Sequence, residues 1–319
     1  MSFQKHYKKM IAVLLIFSML FAVSACWSQG GTDVPSGNGD PGTKITEPGK
    51  NETPNTEVPG KHGNTEPAGS GTVDLMANVI PAASALKPIS AESSKKAADF
   101  ALKLFKACYN GENTLVSPLS LIAALGMTME GAKGETLAEM EKALGFTSGE
   151  LTDYIATLLD ILKNDEVLSM ANSIWFTSHE RFTVDEAFLK RNAAFYKAGI
   201  FKSPFDDTTV VDVNNWVREK THDMIDGILD ECKPGNIMFL INALAFEGEW
   251  EEEFKENRIS DGKFTTTDGQ KVDVKFMSSE EDTYLVTEKA EGFIKYYKGR
   301  KYAFAALLPN EGVSISDVL

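Results

Sequence analysis

Between Gly235 and Gly248 the chain runs through ten nearly unbroken apolar residues, Ile237 to Phe246, inside the segment NIMFLINALAFEGEWEEEF (Asn236 to Phe254). An apolar run bounded closely by glycines, with no one-sided stripe, suits a strand buried on both faces. A buried helix is the competing reading, because periodicity alone does not separate the two. As a strand the run would span ~30 Å, enough to cross a whole domain. Asn242 interrupts it. Period two puts Asn242 on the face that carries Met238, Leu240, Leu244 and Phe246. A buried amide without partners costs ~1–3 kcal/mol, so Asn242 needs hydrogen-bonding groups from elsewhere in the chain. A satisfied core asparagine is the plain alternative to any special role.

The first 25 residues do not belong to that core. Lys5, Lys8 and Lys9 precede the apolar stretch Ile11 to Val23, and Val23-Ser24-Ala25-Cys26 ends it in small residues. This is the layout of an export signal, too short to be read as a spanning helix. The region around Cys26 resembles a bacterial lipoprotein box, with Val23 where the pattern favours Leu. That resemblance implies lipidation of Cys26 and attachment to a membrane, against an ordinary signal with a coincidental cysteine. The chain is expected to be exported, to the cell surface or the extracellular space.

Ser28 to about Thr72 is Gly, Pro, Thr, Asn and Glu with almost no large apolar residue, and reads as a disordered tether. Its ends as a flexible coil would lie ~35–40 Å apart. The expected organisation is therefore a signal over 1–25, a lipidated Cys26 with its tether over 26–72, and a globular part over 73–319. Of 319 residues 43% are hydrophobic and 24% charged, which supports a large core. The net charge is −14, and loss of the three leader lysines brings the exported form near −17. With no Lys/Arg cluster after the first ten residues, nucleic acid is not expected as a partner. Cys108 and Cys232 are read as free, mostly buried thiols.

Within the globular part, helical spacing marks Ser93 to Tyr109, Pro118 to about Glu130 behind the cap Ser117, Leu151 to Leu162, Val184 to Tyr196 and Val210 to Leu229. Thr136-x-x-Glu139 reads as a capping box for a further helix to Leu144. Strand composition marks Val167 to Phe176, Lys271 to Met277, Phe293 to Tyr297 and Tyr302 to Leu308, with turns at Asp261-Gly262 and Asp268-Gly269. Helices first and strands later, with long connections, give an α+β fold with mixed sheets. Only His179, in a Ser-His-Glu turn, and His222, read as mid-helix, could serve a hydrolase, and no G-x-S-x-G accompanies them. No C-x-x-C, H-E-x-x-H or calcium loop is present. Neither enzymatic activity nor a metal or cofactor is expected. The acidic run Glu249, Glu251, Glu252 and Glu253 reads as a solvated face.

Several segments, taken together, resemble a known family. NTLVSPLS (Asn113 to Ser120) with Gly131-Ala132-x-Gly134-x-Thr136-x-x-Glu139 is similar to the early signature of serpins. Asn172 to Phe176, Asn214 to Ile225, Leu240 to Phe254 and Ala305 to Gly312 resemble later serpin segments, in family order. The resemblance covers about Ala91 to Leu319. It implies a central mixed sheet with smaller sheets and surrounding helices. It also implies suicide inhibition of serine or cysteine proteases, in which a cleaved reactive loop inserts as a new strand beside the opening strand. Ser117, Ser120 and Asn242 match the polar "shutter" beneath the strands that part, and Trp250 matches the aromatic at the "breach" where insertion begins. Capping by Ser117 and core packing of Trp250 are the ordinary alternatives. Around Thr221 to Ile225 the family's usual small and basic residues are replaced, and Ile259-Ser260 stands where Thr is frequent, which leaves inhibitory competence open. The reactive loop and closing strands of the family would lie beyond Leu319. The chain is expected to be a fragment of a longer reading frame rather than a natural short product, incapable of inhibition by itself, and a monomer. A serpin-like surface protein that binds without inhibiting is the alternative function.

Overall fold

A computed structural model of the chain describes residues 10–12, 71–76, 78–80, 86–266 and 268–319. Cys26, most of the leader and nearly all of the tether lie outside the described residues.

The long apolar run is a strand. β5 (Met238–Gly248) lies inside a five-stranded sheet with β1 (Met10–Ala12), β2 (Val73–Asp74), β3 (Leu168–Thr177) and β4 (Gly199–Ser203), in the order β1-β5-β3-β4-β2. β3 pairs antiparallel with β5 along Leu168–Phe176 and parallel with β4, so the sheet is mixed as expected. β2 and β4 carry too few residues for an alternation to mark them.

Both faces of β5 are covered, and alternation divides its residues between two cores. Leu240 joins Ile174 and Phe176 of β3 and the buried side chains of helix α2 (Pro118–Met129), among them Leu121, Ile122 and Met127. Phe239 and Ile241 join Trp175 of β3 and Val213 and Val217 of helix α6 (Asp207–Lys220) on the other face. The first core is completed by α1 (Ala91–Cys108), α3 (Gly134–Leu144), α4 (Ser148–Ile161) and α5 (Glu186–Phe195). α2 is apolar nearly all round and correspondingly buried, from Ser120 through Ala124 without a break.

The remaining strands form two small sheets. β6 (Ile259–Thr265) and β7 (Lys271–Met277) make a hairpin, and β8 (Thr283–Val286), β9 (Ala290–Tyr296) and β10 (Ala303–Pro309) form a sheet in the order β10-β9-β8. A short helix α7 (Ile315–Val318), capped by Ser314, follows.

Four local expectations fail. Asp261-Gly262 is not a turn but the middle of β6, where the Phe276 ring of β7 occupies the space that a Cβ on Gly262 would need, 2.7 Å away. Thr136 does not cap α3, which begins at Gly134 after Lys133 without a side-chain cap; the real capping box is Thr147–Glu150 on α4. α6 stops at Lys220 instead of Leu229. There the Thr221 hydroxyl bonds back to the Val217 carbonyl at 2.9 Å, and His222 and Asp223 take left-handed backbone angles that no helix continues through. His222 is therefore an exposed turn residue, not a mid-helix one. Cys108, at the last position of α1, is exposed, while Cys232 is half-buried; both are free.

Candidate functional site

Asn242 meets its own kind. It stands directly opposite Asn172 in the β3–β5 register, and both are 2% exposed. The Asn242 Nδ2 donates to Asn172 Oδ1 at 2.9 Å, and the Asn172 Nδ2 donates to the Tyr196 carbonyl at 2.7 Å. This chain of amides ties the two longest strands to the C-cap of α5. Asn242 Oδ1 is buried and accepts no hydrogen bond among the described residues. A buried acceptor left unpaired costs ~1–3 kcal/mol.

The two serines lie at the N-terminus of α2, the helix that packs against β5. Ser117 is the N-cap, accepting from the Ser120 amide at 3.4 Å, and its hydroxyl donates to Ser120 Oγ at 2.8 Å. Both are buried. Ser117 and Ser120 pair with each other and Asn242 pairs with Asn172, so the expected trio forms two separate hydrogen-bonded pairs. Asn172 was missed as a site residue. Its signal was available, since it interrupts an apolar strand just as Asn242 does.

Along its other edge β5 is largely open. From Met238 to Ala245 no strand pairs with it on the side away from β3 among the described residues; β1 meets only Phe246 to Gly248. The Gly248 end is fastened instead to the β9–β10 hairpin. Trp250 forms a bridge with Tyr297 and stacks on its ring, centroids 4.3 Å apart and planes 13° apart. Phe246 meets the same ring edge-on at 4.8 Å. A Cβ on Gly248 would come within 2.7 Å of the Tyr297 ring, so this close approach needs glycine. Trp250 is half-buried and touches Phe254 and Phe304 edge-on, which makes it a junction between two sheets rather than a simple core residue. The acidic run beside it is exposed as expected, with Glu249 paired to Lys298 and Glu251 to Arg300.

A second fastening lies at the same end. Asp165, between α4 and β3, accepts from the amides of Val167 at 2.9 Å and Leu168 at 2.8 Å and pairs with Lys301 of the β9–β10 turn. Burial alone would raise this carboxyl, but Lys301 and the two amides outweigh it and hold it at about 2. No group of three or more metal-ligating side chains occurs among the described residues, and no helix among them is long and apolar enough to cross a membrane.

The family model for serpins (serine protease inhibitors) matches residues 95–319. This chain belongs to the serpin family. The native-state crystal structure of the thermophilic serpin tengpin superposes with a TM-score of 0.73 at 42% identity, covering 77% of this chain and 65% of tengpin. Tengpin in its latent state gives 0.69 at 44% identity, over 73% of this chain and 65% of that one. Serpin-Z2B of Oryza sativa subsp. japonica is 31% identical over 67% of this chain and 52% of its own length. The serpin thus spans about half to two thirds of the length of these relatives. Its α+β architecture, with one mixed central sheet and smaller sheets, is the serpin fold, and its family is one of protease inhibitors rather than catalysts.

Proposed function

We propose that this serpin is the N-terminal and central part of a suicide inhibitor of serine or cysteine proteases, carried outside the cell on a lipid attached to Cys26. β5 is the strand beside which a cleaved reactive loop inserts, Asn242, Ser117 and Ser120 form the shutter under it, and Trp250 guards the breach. The observation that supports this best is the buried amide pair Asn172–Asn242 midway along the two long strands, with α2, which carries Ser117 and Ser120 at its N-terminus, packed against β5. That tengpin has been solved in a native and a latent state agrees with a fold that has two long-lived arrangements.

The protein is proposed to act as a monomer. The test is incubation of the full-length product with a panel of serine and cysteine proteases, followed by denaturing electrophoresis. Complexes that survive SDS are expected; clean cleavage without complex across the panel would leave only a binding role for the fold. Mass spectrometry of the exported protein tests the anchor. An acylated Cys26 at the new N-terminus is expected, and an unmodified residue there would remove the membrane from the account.

A further inference from the structure

Lys295, the next-to-last residue of β9, is 2% exposed. A lysine buried to that degree keeps its charge only if something replaces its lost water. Glu281, between β7 and β8, does so: Lys295 Nζ donates to its Oε1 at 2.7 Å, the one ion pair of this lysine among the described residues. The same ammonium lies 5.5 Å from the centre of the Trp250 ring and 4.7 Å from that of Phe254. At these separations the cation attracts the ring faces, and does so more strongly once shielded from water.

We propose that the Lys295–Glu281 pair is a charge-dependent latch that keeps Trp250 and Phe254 closed over the Gly248 end of β5. Lys295 acts as a positioning residue, through Trp250. Both partners belong to the wall of one open cleft of about 550 Å³, which Lys255, Arg258 and the acidic Glu251, Glu252 and Glu280 also line. Movement of the 278–282 segment, or a competing cation in the cleft, would leave Lys295 without its bonded carboxylate. Its relief is to move outward, and that withdraws the cation from the Trp250 and Phe254 rings. The loop before β8 would thereby set how easily the end of β5 opens. The meaning of that opening for inhibition rests on the serpin mechanism proposed above; the latch itself rests on geometry alone.

The chain labelled with 5-fluorotryptophan tests it, with the Trp250 resonance assigned by Trp250→Phe. Lys295→Met is expected to shift the Trp250 fluorine signal and to raise its acrylamide quenching about threefold, as loss of a shielded cation–ring contact implies. Glu281→Gln should do the same in part, and Lys295→Arg should return both readouts toward the original. Trp175, in the core of β3, should not respond and so reports an intact fold. If Lys295→Met loses the Trp175 signal, Glu281→Gln decides alone, since it removes the charge while keeping the volume. An unchanged Trp250 in folded Lys295→Met and in Glu281→Gln, even with a lowered melting temperature, would overturn the latch and leave the pair purely structural. None of these readouts involves a protease, so failure of the latch and failure of the inhibitor reading are separable.

Discussion

The central sheet and the β8–β10 sheet are built from equally apolar strands and end in opposite situations. β5 buries Phe239 and Leu240 against helices on both faces, whereas Tyr284, Val286 and Leu308 of the smaller sheet are 65%, 68% and 66% exposed. The difference is in what lies above each strand. α2 and α6 cap the two faces of β5, while no helix packs on the β8–β10 sheet among the described residues. The β6–β7 hairpin is intermediate: one face carries the cross-strand pairs Lys263–Asp273 and Lys275–Asp261, and the other leaves Phe264 and Phe276 exposed. Apolar strand composition therefore marks a surface that needs a cover, and among the described residues the central sheet has one on both faces while the β8–β10 sheet does not.

The sharpest break between the two regions should come from truncation. Phe239→Ala, which empties a site stacked on Phe205 with ring centroids 4.7 Å apart, is expected to lower unfolding stability in urea by about 3–5 kcal/mol. Val286→Ala should stay within about 0.5 kcal/mol. Equal losses at the two positions would mean that the smaller sheet is as well packed as the large one.

Next in size is the fastening between the regions. Asp165 is held at about 2, below its ordinary value, so its contribution is fully present above the unfolded carboxylate pKa and fades as pH falls from about 4 towards 2. Asp165→Asn should cost roughly 2 kcal/mol at pH 7 and little at pH 2, as denaturant titrations at the two pH values would measure. A cost independent of pH would assign the effect to packing instead.

Within the central sheet, the two asparagines should not be equivalent. Asn172→Ala leaves the Tyr196 carbonyl and the Asn242 amide both unpaired and is expected to cost about 2 kcal/mol. Asn242→Ala strands one acceptor while removing another that was already orphaned, and should cost about 1 kcal/mol or less by the same unfolding measurement. The smallest effect belongs to the exposed sheet. Leu308→Ser should change stability by less than about 0.5 kcal/mol while visibly reducing fluorescence of a hydrophobic dye bound to the chain.

How far the sequence could be read followed the same division. β5 and β3 stand out as apolar runs and α2 by its Ser117-Pro118 start, and these three lie within a few residues of expectation. The end of α6 did not, because the Thr221 hydroxyl and two left-handed residues stop a pattern whose apolar spacing continues through Ile225 and Ile228. Gly262 misled for a related reason: Asp-Gly usually turns a hairpin, but here the glycine makes room for a ring across the strand pair. The serpin resemblance directed attention to Ser117, Ser120, Asn242 and Trp250, all of which occupy structured positions around β5. Asn172, Asp165 and Lys295 escaped it. Each acts through a partner distant in sequence, Asn242, Lys301 and Glu281, and such pairings are fixed by the tertiary fold rather than by local pattern.

The account turns on β5 as the edge that receives a new strand. Its most direct test is thermal unfolding of the full-length product before and after a single cut in its reactive loop. Insertion beside β5 predicts that the cut protein melts at a distinctly higher temperature, because the central sheet gains a further strand with its backbone hydrogen bonds. A melting temperature unchanged or lowered by the cut would contradict it.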